Sequence, residues 1–327
     1  MRTLLSALSV FSLSVSSLLL GGCEVSDCKT DEGEDAKCAE SLKAFEATEI
    51  VETVPYVDGA NLTIKGLYGD IAILPGTAGK VSTTFKPFNY RGHDQEEDAR
   101  RELGENLDLV VDHDLDGTGD VTITTDRHDA KNGLGSHITV RLPPEFNGIL
   151  IVENQGEGVI NQGLIDVQFV GEATTLNVTN HGLQLCSVLR GDDDEPSIVS
   201  NLNDVNVQCE ADIIVRGVSD NVVVRSVSPS FHSDVVVDIV GVSPDAAGGS
   251  IIGDNSNVQV TMPAGGDYNV TASAGAGARI SKVEAGECEA PTNDESELSL
   301  ACGAGGPIYE ISATGDDEDS RINVFVR

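Results

Sequence analysis

From residue 50 onward, the chain is built of short runs in which apolar and polar residues alternate. Leu62-Thr63-Ile64-Lys65 closes on Gly66, Gly69-Asp70 leads into Ile71-Ala72-Ile73, and Gly76 to Gly79 separates these from Val81-Ser82-Thr83. A period of two is the mark of a strand that buries one face. Beyond residue 145 the runs crowd together: Leu176 and Val178; Val205, Val207 and Cys209; Ile213 and Val215; Val222 and Val224; Val235, Val237 and Ile239; Val258, Val260 and Met262. Asn154, Asn161, Gly171, Asn180, Gly182, Asn201, Asn221 and Asn255 punctuate them. Strands recurring about every 10 residues between turn residues belong to a sandwich, a barrel or a solenoid.

The pattern predicts an all-β fold, read as an elongated parallel β-solenoid with one short helix. The alternative is an antiparallel β-sandwich, in which the same alternation occurs. Beyond residue 150 no Asn-Gly pair joins the strands, which favours the solenoid. The helix is expected over His93 to Leu103, with Asp94 as its N-cap and Glu96 and Glu97 four residues before Arg100 and Arg101. Cys186 and Cys209 stand one coil apart on this reading. Stacked strands about 4.8 Å apart lie within the reach of a disulfide.

Charge narrows the function. Asp and Glu number 54 against 20 Lys and Arg, a net charge of −34. Such a surface repels a phosphate backbone, so nucleic acid is excluded as a partner, and charge-driven binding to anionic membranes is disfavoured. Divalent cations are what this field attracts, although the acids also serve simply to keep an exposed protein soluble. With no Trp and 4% aromatic residues, an aromatic-lined sugar cleft is not expected.

Seven cysteines include Cys23 and six others: Cys28, Cys38, Cys186, Cys209, Cys288 and Cys302. An even set in an exported chain reads as disulfides, with the sequence-local pairs Cys28–Cys38, Cys186–Cys209 and Cys288–Cys302 favoured. Zinc is the rival reading, but there is no C-x-x-C, and only His181 lies at ligand spacing from a cysteine.

The first 23 residues resemble a bacterial lipoprotein signal. Met1-Arg2 precede an apolar run from Leu4 to Leu20, and Leu20-Gly21-Gly22-Cys23 has the layout of the cleavage box. The resemblance implies a signal peptide over residues 1–22 and a mature chain acylated at Cys23. It further implies anchoring in the bacterial envelope, with Glu24 leaning toward the outer membrane. Residues 23–48 are acidic and poorly patterned, an expected tether, and residues 49–327 form the folded domain. Within that domain the chain is similar to adhesin-like β-solenoid domains of bacterial envelope proteins. The resembling residues are Leu62 to Thr83, Glu96 to Asp126, Ile138 to Ile160 with its "strand, Leu-Pro, strand, Gly turn" unit, its echo in Val258 to Ala272, and Ile308 to Phe325. That likeness implies a right-handed, β-helix-like fold and a binding or structural role, and carries no catalytic residues with it.

Chemistry is sparse. Asp112-His113-Asp114-Leu115-Asp116-Gly117-Thr118-Gly119-Asp120 begins like an EF-hand calcium loop, with Asp112, Asp114, Asp116 and Asp120 as candidate ligands. Ile123 stands where the bidentate Glu belongs, so the segment is either a looser calcium turn or an acidic hairpin tip. Asp192 to Glu195 and Asp316 to Asp319 read as exposed loops. His93, His113, His128, His137, His181 and His232 form no H-x-x-x-H pair. There is no G-x-S-x-G, and Val81 follows Gly79-Lys80 where a phosphate loop needs Ser or Thr. The expectation is a non-catalytic, lipid-anchored surface module that binds an unidentified ligand or serves structurally. The alternative is a calcium-assisted polysaccharide lyase or hydrolase on the same scaffold.

Overall fold

The computed structural model describes residues 45–89, 96–128, 133–156, 163–182, 184–188, 204–227, 232–315 and 320–327. The signal segment, Cys23, Cys28, Cys38, His93, Asp94 and the two acidic runs at 192–195 and 316–319 lie outside the described residues.

The alternating runs are strands. The chain forms β1 (Phe45–Glu46), β2 (Ile50–Pro55), β3 (Leu62–Gly66), β4 (Ile71–Pro75), β5 (Lys80–Asn89), helix α1 (Glu96–Asn106), β6 (Leu107–His113), β7 (Val121–Arg127) and β8 (Leu134–Leu142). There follow β9 (Ile149–Asn154), β10 (Ile165–Val167), β11 (Thr175–Asn180), β12 (Cys186–Val188), β13 (Asp204–Cys209), β14 (Ile213–Ser219), β15 (Asn221–Ser226) and β16 (Ser233–Gly241). The last are β17 (Gly248–Asp254), β18 (Ser256–Met262), β19 (Tyr268–Ala274), β20 (Ala278–Glu284), β21 (Glu289–Asn293), β22 (Glu297–Cys302), β23 (Ile308–Thr314) and β24 (Ser320–Val326).

They assemble into two 12-stranded mixed sheets. From β9 to β18 the chain alternates strictly between them, odd strands in one and even strands in the other; β9 and β10 pair in parallel with β3 and β4, and each later strand with the strand two before it. At both ends this order breaks. The β3–β4 pair sits between β7–β8 and β9–β10, and the β23–β24 pair sits between β17–β18 and β19–β20. Antiparallel strands close each end: β1 and β2 on β5, β5 on β8 and β6 on β7 at one, β21 on β22 and β22 on β19 at the other.

Register makes the core. In the odd-strand sheet Ile123, Ile64, Val152, Val178, Val207, Val224, Ile251 and Ile311 occupy one row across neighbouring strands. In the other sheet the row runs Val140, Ile73, Val167, Val188, Val215, Val237, Val260 and Val324. All of these are fully buried. Val and Ile suit the task because their branched Cβ is already restrained in an extended backbone. Proline marks crossings from the even-strand to the odd-strand sheet: β8 ends before Pro143 and β18 before Pro263, where the missing N–H costs no ladder bond.

The opposite crossing is polar and buried. Gly66, Asn154, Asn180, Cys209 and Ser226 stack in register at the ends of β3, β9, β11, β13 and β15. The Asn154 amide donates to the Gly69 carbonyl at 3.3 Å and Asn180 to the Gly163 carbonyl at 3.2 Å, while the Gly182 N–H donates to Asn180 Oδ1 at 2.8 Å. Gly163 and Gly182 are required there. A Cβ on Gly163 would lie 2.2 Å from the Gly69 oxygen, and one on Gly182 2.2 Å from the Gly163 oxygen. Farther along, the Ser226, Ser233 and Ser256 hydroxyls bond one another at 2.7 to 3.3 Å. Between the asparagines and the serines, Cys209 is joined to Cys186, linking the end of β13 to the start of β12 with Cα atoms 6.5 Å apart. A second disulfide joins Cys288 to Cys302.

Helix α1 packs on β5 and β6 through Ala99 and Leu103. It runs three residues past the expected Leu103 because Asn106 bonds back to the Glu102 carbonyl and is itself buried. Arg100 pairs with Glu96 as the spacing predicts, but Arg101 takes Asp98, three residues back, in place of Glu97.

Two expectations follow. Ile251→Ala lowers the unfolding free energy by about 2–5 kcal/mol, whereas Val223→Ala, at a 44% exposed position one residue before the buried row, stays within about 0.5 kcal/mol. Denaturant titration of both variants checks this. Replacing Cys186 and Cys209 together by Ser, at a sequence separation of 23, costs about 3 kcal/mol in the same assay.

Candidate functional site

The Asp112 to Asp120 segment is the tip of the β6–β7 hairpin, in which His113 faces Val121. Its carboxylates serve the turn itself. The Asp114 side chain accepts from the Thr118 N–H at 3.1 Å, and Asp120 accepts from the Asn61 N–H at 2.8 Å, tying the tip to the start of β3. That bond holds the Asp120 carboxyl below its ordinary pKa. Asp112 and Asp116 are exposed. Among the described residues no three His, Cys, Asp or Glu side chains come together as a metal-holding group.

Three histidines stand beside single carboxylates: His128 with Asp108 at 2.9 Å, His137 with Asp70 at 3.1 Å and His181 with Glu210 at 2.9 Å. The last two join neighbouring strands or turns on the outside of the sheets. Burial works against ionisation of Asp70, but hydrogen bonds from the His137 ring and from the Leu164 N–H outweigh it, so its pKa lies below the ordinary value.

The outward positions of the strands form rows as regular as the core. Because side chains alternate, each residue that faces out lies about 4.8 Å from its equivalents on the neighbouring strands. Two open grooves result. One, of about 550 Å³, crosses the odd-strand sheet and is lined by Ser250, Thr271, Ser273, Ser299, Ser312, Glu297 and Glu310. The other, of about 580 Å³, crosses the even-strand sheet over β16, β18 and β24 and is lined by His232, Asp234, Val236, Asn257, Gln259, Arg321 and Asn323. In it Asn257 donates to Asp234 at 3.0 Å, and Gln259 lies in register with Asn323.

Neither groove is among the candidates drawn from sequence. The signal was present in part, since alternation in SNVQVTM and SRINVFV puts Asn257, Gln259, Arg321 and Asn323 on one face. Nothing local says that these two strands are neighbours.

No protein-family model matches the chain, and no curated protein sequence matches it. Among solved structures, a putative cell adhesion protein from Clostridium sporogenes aligns at 11% identity and a TM-score of 0.32, over 86% of this chain and 99% of its own. A putative adhesin from Bacteroides fragilis aligns at 12% identity and a TM-score of 0.28, over 85% and 97%. A putative lipid binding protein from Parabacteroides distasonis aligns at 11% identity and a TM-score of 0.23, over 84% and 96%. Likeness at these TM-scores carries no argument about this chain. Among the described residues no helix is long and apolar enough to cross a membrane.

The lowered pKa of Asp70 sets a pH dependence. Its contribution is present above the unfolded carboxylate pKa of about 4 and is lost as pH falls through the lower folded value. The carboxylate is 41% exposed, so solvent screening keeps that contribution below about 1 kcal/mol. Asp70→Asn is therefore expected to lower the melting temperature slightly at pH 7 and progressively less as the solution is acidified, followed by circular dichroism.

Proposed function

We propose that this chain is a non-catalytic binding module, a β-solenoid carried on a lipid anchor at Cys23 in a bacterial envelope and presenting its outer sheet faces to a ligand. The observation that carries the reading is the pair of open grooves across the outer faces, each lined by in-register side chains from successive strands. Short hydroxyl and amide side chains on a parallel sheet are held in place by the buried residues between them. They offer donors and acceptors at a fixed spacing with little freedom left to lose on binding. The solenoid reading is supported by the strict alternation of β9 to β18 between two sheets with parallel pairing throughout. A repeating ligand, such as a polysaccharide, matches a repeating surface, and a surface of small polar groups suits sugar hydroxyls without the stacking that aromatic clefts use.

The test is binding and turnover on one panel of neutral and acidic glycans, using the full-length protein in detergent micelles. Saturable binding of at least one glycan without release of new reducing ends or unsaturated products supports the reading. Thr271→Arg and Ser312→Arg, which fill the odd-strand groove, and Gln259→Arg, which fills the other, are expected to weaken binding at whichever groove is used by at least about tenfold. Product formation on any glycan, abolished by an outer-face substitution, would replace the binding module with an enzyme.

A further inference from the structure

In a chain with 54 acids, two arginines are placed against each other. Arg279 on β20 and Arg321 on β24 are direct partners in the parallel ladder. Like charges opposite one another on neighbouring strands are destabilising. Several other cations of the described residues pair with acids: Lys86 with Glu46, Arg100 with Glu96, Arg101 with Asp98, and Lys282 and Arg327 with Glu284, whereas the exposed Lys80, Arg141 and Arg225 form no ion pair with the described residues. Arg279 and Arg321 are exposed, and neither forms an ion pair or hydrogen bond with the described residues. Cations on an edge strand discourage a further strand from adding, which accounts for Arg279, since β20 is an edge. It does not account for Arg321, because β24 lies inside the sheet between β18 and β20.

Arg321 is also a wall of the groove over β16, β18 and β24. Beside it Gln259 and Asn323 stand in register, and their side-chain amides make no hydrogen bond with the described residues. We propose that Arg279 and Arg321 form an anion-recognition element for this groove, and that its ligand is an acidic glycan bearing carboxylated sugars.

A guanidinium matches a carboxylate in a two-bond geometry, and two of them side by side accommodate one carboxylate between them or two on successive sugars. The free amides of Gln259 and Asn323 then meet hydroxyls, as both donors and acceptors. Alongside its polar side chains the groove has apolar lining from Val235 and Val236, so a lipid headgroup is the rival occupant that vesicle binding tests. Asp234 within the groove disfavours a ligand as densely charged as a polyphosphate and suits one charge per sugar. At physiological salt the field of acids more than about 8 Å away is largely screened.

The proposal rests on the binding-module reading, and the experiment separates the two. Full-length protein is titrated calorimetrically with an oligogalacturonate, with its methyl-esterified neutral form, with inorganic phosphate and with vesicles containing phosphatidylglycerol. Arg279→Gln and Arg321→Gln are each expected to weaken oligogalacturonate binding by roughly tenfold or more, the loss of one charge-assisted contact. The double variant keeps or raises the melting temperature, because a repulsion is removed, and Arg100→Gln on α1 leaves binding unchanged. Loss of binding to the esterified oligomer and weakening with added salt complete the expected result. Oligogalacturonate or neutral-glycan binding that is indifferent to both arginines would keep the binding module and overturn this assignment. Arginine-dependent binding of phosphate or vesicles with none of oligogalacturonate would overturn it as well, as would no anion binding at all.

Discussion

Each strand of this protein has one face that must leave water, and the fold follows from giving every such face a partner. A slip of one residue in any strand would turn its Val and Ile outward and its Thr, Asn and Gln inward, so the hydrophobic effect fixes register with a penalty that grows with strand length. The result is two unbroken aliphatic rows, one per sheet, from Ile123 to Ile311 and from Val140 to Val324. Aromatic rings fill the interior toward the ends, Phe85, Phe88 and Phe146 at one and Tyr268 and Tyr309 at the other, the two tyrosines packed edge to face with their hydroxyls bonded to the Pro263 and Asp220 carbonyls. Burial pushes the Tyr268 hydroxyl up to about 12 and Tyr309 higher still, so both stay neutral donors.

Facing two sheets leaves two further problems, the corners and the ends. At a corner the backbone turns out of the ladder and its polar groups lose their partners while still buried. The asparagine amides at 154 and 180, the serine hydroxyls at 226, 233 and 256 and the glycines between them supply what the ladder cannot. At the ends, a sheet that simply stopped would expose both core and edge. The chain instead inserts its first and last parallel pairs one position inward, adds antiparallel strands at every sheet end except that of β20, which stays a parallel edge, and lays α1 over β5 and β6. The outermost strands carry the features that discourage further pairing. β20 has a register shift between Ile280 and Lys282, next to Arg279, and β21 has one between Glu289 and Thr292.

With the inward positions committed to the core, the outward ones are free for function. Some outward charge is paired locally: His128, His137 and His181 stand against single carboxylates, Asp114 and Asp120 hold backbone amides, and Lys86, Arg100, Arg101, Lys282 and Arg327 have acids beside them. The grooves carry hydroxyls and amides in register on neighbouring strands, with Arg321 lining one of them and Arg279 beside it in the ladder. Rigidity is the property that connects the fold to binding, because a surface ordered in advance gives up little entropy when a ligand arrives.

Strand identity was legible in the residues themselves, since period-two alternation depends only on near neighbours, as did the helix with its acidic first turn. The two described disulfides are also sequence-local, because adjacent turns of chain bring such cysteines together. Other features depended on contacts that no local pattern encodes. Arg101 chose Asp98 over Glu97 through side-chain placement on a packed helix. The Asp112 to Asp120 motif became a hairpin tip because Asn61, far away in sequence, offered its N–H to Asp120. The insertion of β3–β4 and β23–β24 into the interior, and with it the meeting of Arg279 and Arg321, was decided only in three dimensions. Alternation tells a strand which face to bury and is the same for every neighbour; which strand lies beside it is settled by the sum of packing over both sheets.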